Sequence, residues 1–242
     1  MALTVAPVTT AARPHRRTFF MATSVLMALI AVVGFWPTYF GPLMTGRLVQ
    51  PPVIHLHAVV FTGWLVLFFA QAVLAATRRV AWHIRFGRIG IAYGFLLIGV
   101  GLYTGVVRAA ERPPGGPAES LLYSAFADMV MFSAFFGAAV VYRRKPQLHK
   151  RLITVAAATL LIAAVARMTV LLGPPLRLPI GLAIWSSPIL IAMVYDFRNG
   201  RIVHLVYVLG LATMVARRLG APYVVGTPEW TRFATWVLGW AA

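Results

Sequence analysis

The sequence predicts an all-α polytopic membrane protein, a bundle of seven transmembrane helices followed by a short interfacial helix. Of its 242 residues 60% are hydrophobic and 11% charged, whereas a soluble domain carries about a quarter charged residues. The mean hydropathy is +0.82. The apolar residues form seven runs, each long enough to cross a bilayer, at 19–40, 53–76, 88–108, 119–142, 149–172, 178–196 and 202–221.

A polar tail precedes the transmembrane domain. Residues 1–18 include a basic cluster, so we expect a cytoplasmic tail. The first apolar run is too long for the core of a signal peptide and ends without a small-residue cleavage site. It should therefore remain as the first span, and the transmembrane domain covers 19–222.

The last segment, 227–242, predicts a separate amphipathic helix. Thr227 can cap it, and Pro228 suits the first helical position. The helix is too short to span a membrane, and an aromatic stripe is typical of the interface. Its aromatic residues recur at helical spacing: Trp230, Phe233, Trp236 and Trp240.

The basic residues indicate the orientation. With a cytoplasmic N-terminus, the tail and inner loops hold 14 Lys and Arg, the outer segments hold seven, and Arg167 lies within a span. This twofold bias favours a cytoplasmic N-terminus and an external C-terminus. The inner set is Arg13, Arg16, Arg17, Arg78, Arg79, Arg85, Arg88, Arg143, Arg144, Lys145, Lys150, Arg151, Arg198 and Arg201, and the outer set is Arg47, Arg108, Arg112, Arg177, Arg217, Arg218 and Arg232.

The net charge of +17 does not indicate a nucleic-acid partner, because the basic residues lie in short clusters between apolar runs. Anionic lipid headgroups are the expected partners of such clusters. The chain has no cysteine, which excludes disulfides, thiolate metal sites and c-type haem attachment. The third span carries Gly90, Gly94, Gly101 and Gly105, a pattern that predicts close helix packing.

Polar residues predicted to lie towards the outer side form a first candidate site, for a cofactor. It contains His57, Asp128 and Arg167, with His55 beside them. Charges inside spans are costly and normally pair, so we expect an ion pair between Asp128 and Arg167 with His57 lining the same cavity. The pair either fixes the packing of the fourth and fifth spans or serves as a proton relay or a pocket for an anionic group.

A second candidate site, for a metal, lies at the inner helix ends. Its predicted ligands are His83, His149, His204 and Asp196, which would suit zinc or iron. Each histidine has arginine neighbours, which would also suit phosphate, a lipid headgroup or haem propionates. Histidines that bind lipid and carbonyl groups at the interface are the alternative. Bis-histidine haem is possible only in this layer, because the outer layer offers two histidines on one helix.

Common enzyme signatures are missing from the sequence. It contains neither G-x-S-x-G nor H-E-x-x-H, so no catalytic residue is assigned. A retinal protein needs a lysine in its last span for the Schiff base. The two lysines, Lys145 and Lys150, belong to an inner loop, which excludes that class.

The chain resembles a widespread family of uncharacterised bacterial seven-span membrane proteins. The resemblance implies the bacterial inner membrane and places the site at His83 and His149, with His57, His204, Asp196 and Arg167 beside them. The resemblance implies no particular activity. More distantly, the chain is similar to di-haem membrane cytochromes and assembly factors of terminal oxidases. The matching segments are HLHAVVFTGWLVLFFAQ (55–71), HIRFGRIG (83–90), RRKPQLHKRL (143–152), Arg167, VYDFRNGRIVH (194–204) and GTPEWTRFATW (226–236).

The sequence therefore favours a metal- or cofactor-binding accessory protein of membrane redox metabolism. The cofactor is open: a divalent metal is expected first and haem b second. One alternative is a structural subunit or scaffold that packs against a membrane protein partner in a larger complex. The other is a membrane-embedded zinc hydrolase. Metal analysis and a visible absorption spectrum separate these hypotheses.

Overall fold

The computed structural model describes residues 15–240, and within that range all regular structure is helical. A π-helical turn, Trp36–Phe40, joins the first two helices. The helices are α1 (His15–Phe35), α2 (Gly41–Met44), α3 (Pro52–Ala76), α4 (Val80–Ala110), α5 (Gly116–Val141), α6 (Pro146–Thr159), α7 (Ile162–Met168), α8 (Pro174–Arg198), α9 (Leu205–Val224) and α10 (Pro228–Gly239).

Six helical segments in the described range are long and apolar enough to cross a membrane. The count rises to seven if α6 and α7, which meet at a bend of 43°, form one span. The prediction of an all-helical, multi-pass protein is confirmed. The predicted N-terminal tail lies mostly outside the described residues, and α1 already begins at His15.

Proline and glycine mark the helix ends. Proline occupies one of the first two positions of α3, α5, α6, α8 and α10, where its fixed φ suits the helix and its missing N–H costs nothing. Gly115, Gly200 and Gly226 have φ of 95°, 67° and 88°. Glycine tolerates this left-handed region, so these residues form the turns around α5, after α8 and before α10.

Close packing of α4 is confirmed at three of its four predicted glycines. A Cβ on Gly94 would lie 2.2 Å from Phe136, one on Gly101 2.5 Å from Met129 Sδ, and one on Gly105 2.2 Å from Ala125 Cβ. These three glycines therefore let α4 and α5 approach closely. Gly90 faces α3 instead, where its Cβ would lie 3.4 Å from Leu67.

The bend between α6 and α7 is held by a buried tryptophan. Trp185 of α8 is fully buried, and its Nε1 donates to the carbonyl of Ala158 at 3.1 Å. The same carbonyl accepts from the Leu161 N–H at 3.1 Å, so Trp185 adds a second donor at the break and ties α8 to it. On the other side, a Cβ on Gly34 would lie 2.5 Å from the Ala164 carbonyl oxygen, so α1 packs directly on the backbone of α7.

Helix α10 packs against the ends of α4 and α5 that flank residues 111–115. Thr227 caps it by accepting from the Trp230 N–H at 3.3 Å. Thr231 donates to the buried carboxylate of Glu119, and Trp230 Nε1 donates to the Glu119 carbonyl at 3.3 Å. Trp236 is 62% exposed, so the aromatic stripe continues beyond the docked part of the helix.

Candidate functional site

A cavity lies at one end of the bundle, here called the basic end, where α3 joins α4 and α5 joins α6. Its volume is about 330 Å³, and it is open on one side. The start of α1 and helices α3 to α6 enclose it. Polar groups line it beside an apolar surface: the polar residues include Gln71, His83, His149 and Lys150, and the aromatic ones include Phe20, Trp64, Phe68 and Phe136.

Two histidines from different helices meet in this cavity. His83 lies in the first turn of α4 and His149 in the first turn of α6. Their ring centroids are 6.5 Å apart and the ring planes are almost perpendicular, at 85°. The structure thus brings together the two residues that the family resemblance implies, and it does so from segments 66 residues apart in sequence.

The ring of His149 is oriented by a backbone carbonyl. Its Nδ1 lies 2.8 Å from the carbonyl oxygen of Ala139 on α5. A carbonyl only accepts, so Nδ1 carries the proton and Nε2 of the neutral ring keeps a lone pair. Histidines that bind metals are oriented by the same kind of contact at their other nitrogen.

The ring of His83 is held by Gln71, which lies near the end of α3. His83 Nδ1 is 3.3 Å from the main-chain oxygen of Gln71, and the side-chain amide of Gln71 lies against the same ring. Both histidines are therefore oriented through Nδ1. Within the described residues neither Nε2 has a hydrogen-bond partner, which leaves these two atoms for a ligand.

Small residues form part of the cavity wall. Gly87 and Gly90 line it on α4, and Ala72 and Ala139 line it on α3 and α5. A cationic group lies at the same rim: the ammonium of Lys150 is 5.1 Å from the centre of the Phe20 ring. The cavity thus combines a mainly apolar lining with a positive charge.

Asp196, a predicted metal ligand, is bound within the protein instead. Arg151 Nη2 donates to its two oxygens at 3.0 and 2.8 Å, and Arg151 Nε donates at 3.2 Å. Arg201 approaches to 3.7 Å. Arg151 and Asp196 are 4% and 2% exposed. A carboxylate this fully engaged by guanidinium groups has no free oxygen for a cation.

His204 caps a helix and does not join the cavity. Its Nδ1 accepts from the Val206 N–H at 3.2 Å, at the N-terminus of α9. Burial lowers the pKa of His204, Arg151 and Lys150 lower it further, and Asp196 opposes them. In the described part of the chain no three His, Asp or Glu side chains are placed to hold a metal ion. His83, His149, His204 and Asp196 therefore do not form one metal site.

The predicted ion pair between Asp128 and Arg167 is wrong. Arg217 of α9 binds Asp128 through two bonds, Nε to Oδ1 at 2.8 Å and Nη2 to Oδ2 at 3.1 Å. The guanidinium also lies 5.9 Å from the centre of the Tyr123 ring. Because α9 continues to Val224, Arg217 lies within the bundle rather than in an outer loop.

Arg167 lies in the last turn of α7 and is exposed. It donates to the Ala163 carbonyl at 2.8 Å and lies 4.5 Å from the centre of the Phe35 ring. It is close enough to His57 to interact with it electrostatically. His57 stacks on Phe61 at 3.9 Å. Of the predicted outer cofactor site, Asp128 is bound to Arg217, while His57 and Arg167 contact aromatic rings, Phe61 and Phe35.

The chain matches no protein-family model, no curated protein and no solved structure. The resemblance drawn from its sequence segments therefore stays a prediction. Chemical interpretation of the cavity rests on the residues that line it.

Two arginines belong to buried pairs that were not predicted: Arg151 was expected in an inner loop and Arg217 at the outer end of the seventh span. Arg151 stands in the basic segment HKRL, and Arg217 is followed by Arg218. The signal that identifies Arg217 is its position inside an apolar run, because a charge there needs a partner. Arg151 has a similar signal: the helix continues for two turns after it in apolar residues and threonine.

Proposed function

We propose that the chain forms seven spans in the bacterial inner membrane, with α6 and α7 as one broken span. The N-terminus is cytoplasmic, the basic end faces the cytoplasm and α10 lies in the outer interface. The 14-to-7 distribution of Lys and Arg supports this orientation. Reporter fusions at Gly115 and Gln147 should give signals from opposite sides, and signals from the same side would contradict this topology.

We further propose that the protein binds a b-type haem between His83 and His149 and serves as an accessory protein of membrane redox metabolism. The observation that carries this proposal is the 6.5 Å between the two ring centroids. Two imidazoles that bind one metal from opposite sides, with metal–nitrogen bonds of about 2 Å, have ring centres about 6 Å apart. Two ligands of one tetrahedral site would be closer, at about 5 Å.

The donor set also favours haem. His83 and His149 would hold the iron of a haem, because the porphyrin supplies the remaining nitrogen ligands and no third protein ligand is needed. A catalytic zinc site instead uses three protein ligands, and the described residues offer no such group. This argues against the zinc hydrolase. The chain has no cysteine, so the haem would be held without covalent attachment.

The remaining lining residues suit both the apolar ring of a haem and its charged propionates. Trp64, Phe68 and Phe136 provide the apolar contact that a macrocycle needs, and Lys150 at the rim suits a propionate. The volume of about 330 Å³ lies at the lower end of the usual range for cofactor sites, and the open side leaves room for the edge of the ring. Bound haem would supply one-electron transfer.

The test is the visible spectrum of the protein purified from haem-replete cells, before and after reduction. We expect the bands of a six-coordinate low-spin haem at one per chain. His83→Ala and His149→Ala should each reduce haem content at least tenfold, whereas His204→Ala, the matched control at the same end of the bundle, should retain it. A protein that carries no haem and binds none on titration with hemin would overturn the proposal and favour the structural subunit.

A further inference from the structure

We infer that Gln71 is a positioning residue that selects the tautomer of His83, so that His83 would hold a haem iron less tightly than His149 would. The ligand role of His83 rests on the proposed haem site. The selection of its tautomer rests on the contacts of Gln71 alone. Gln71 therefore makes the two histidines unequal: the tautomer of His83 depends on Gln71, whereas that of His149 does not.

The hydrogen-bond partners of the Gln71 amide decide which of its two terminal atoms is the nitrogen. In one assignment, its oxygen faces only acceptors and its nitrogen only donors. Rotated by half a turn, its nitrogen lies 2.6 Å from His83 Nδ1 and 3.2 Å from the His83 carbonyl oxygen, and its oxygen accepts from the Gly87 N–H at 2.9 Å. The second orientation satisfies both amide groups and is the favoured one.

This orientation decides where the proton of His83 lies. An amide nitrogen only donates, so His83 Nδ1 accepts and the neutral ring carries its proton on Nε2. The main-chain oxygen of Gln71, 3.3 Å from the same Nδ1, favours the opposite tautomer. Gln71 therefore offers one partner for each tautomer. His149 has a single partner, the carbonyl of Ala139, and stays with Nε2 unprotonated.

The difference matters because a protonated Nε2 has no lone pair for iron. For His83 to bind, Nε2 must release its proton and Nδ1 must gain one, so the charge of the ring does not change. The amide of Gln71 must also give up its bond to Nδ1. That cost falls on His83 and not on His149, so His83 would bind a haem iron more weakly and would give way more readily to an added ligand such as carbon monoxide.

The tautomer is measured directly in the haem-free full-length protein in detergent, by ¹⁵N NMR of labelled histidine. We expect His83 with its proton on Nε2 in the wild type and mainly on Nδ1 in Gln71→Glu, because a carboxylate accepts from Nδ1–H. Gln71→Leu, which removes the donor without adding charge, should shift His83 in the same direction. Gln50→Glu makes the same change just before the opposite end of α3 and should leave His83 unchanged.

The consequence is measured in the haem-bound protein. Gln71→Glu should lower the affinity of the reduced protein for carbon monoxide at least tenfold and shift the midpoint potential to more negative values, 59 mV for each tenfold change in relative affinity. Unchanged tautomer, affinity and potential in both Gln71 variants would overturn this inference while leaving haem binding intact. A wild type that binds no haem would overturn the ligand role of His83 through the proposed function, whatever the NMR result.

Discussion

The two polar clusters at the basic end differ in how completely their groups are bonded. Arg151 and Asp196 are nearly inaccessible, and the oxygens of Asp196 are engaged by arginines. In the cavity, His83 and His149 use Nδ1 for contacts within the protein and leave Nε2 without a partner among the described residues. The first cluster is closed and holds helices together, whereas the second is open to a ligand.

The closed cluster should show the largest effect on stability. Asp196→Asn leaves Arg151 as an uncompensated buried charge, and removal of one partner from a buried pair costs about 3–5 kcal/mol. The measurement is unfolding in detergent micelles. Replacing both residues with leucine should recover much of the loss, because neither charge then remains. If Asp196→Asn unfolds like the wild type, the cluster is not what joins α6 to α8.

The two clusters also show which features of the structure can be predicted from the sequence and which cannot. Apolar runs and helix-breaking residues place most ends of the apolar helices within four residues, because both signals are local. Two features differ from the prediction: α4 begins eight residues before its predicted span, and the run 149–172 is broken between α6 and α7. The partner of a charge is not local: Asp128 and Arg167 share a predicted depth, yet Arg217 has the matching position on α9. His83 and His149 were selected by residue type and by the family resemblance, but their separation of 6.5 Å depends on how α4 and α6 pack.

A second closed pair, Asp128 with Arg217, should be somewhat less costly to break. Its side chains are 15% and 12% exposed, so Arg217→Gln should cost about 3 kcal/mol, the lower end of the range for a buried pair. Arg167→Gln, an exposed arginine by contrast, should change stability by about 0.5 kcal/mol or less. Double-mutant cycles with Asp128→Asn should find coupling for Arg217 and none for Arg167. Coupling to Arg167 alone would instead support a pair between Asp128 and Arg167, which was expected because the two residues share a predicted depth in the membrane.

A smaller effect than that of either ion pair is expected at His204, which tests whether the two clusters are separate. Its imidazole caps α9 through the Val206 N–H, so His204→Ala should cost about 1 kcal/mol, the usual cost of a lost N-cap. His204→Ser should recover most of this loss, because a serine hydroxyl accepts the same bond. Bound haem should be unaffected in both variants, whereas His149→Ser should lose it without comparable loss of stability in the haem-free protein. Loss of haem in His204→Ala with normal folding would show that His204 takes part in the ligand site after all.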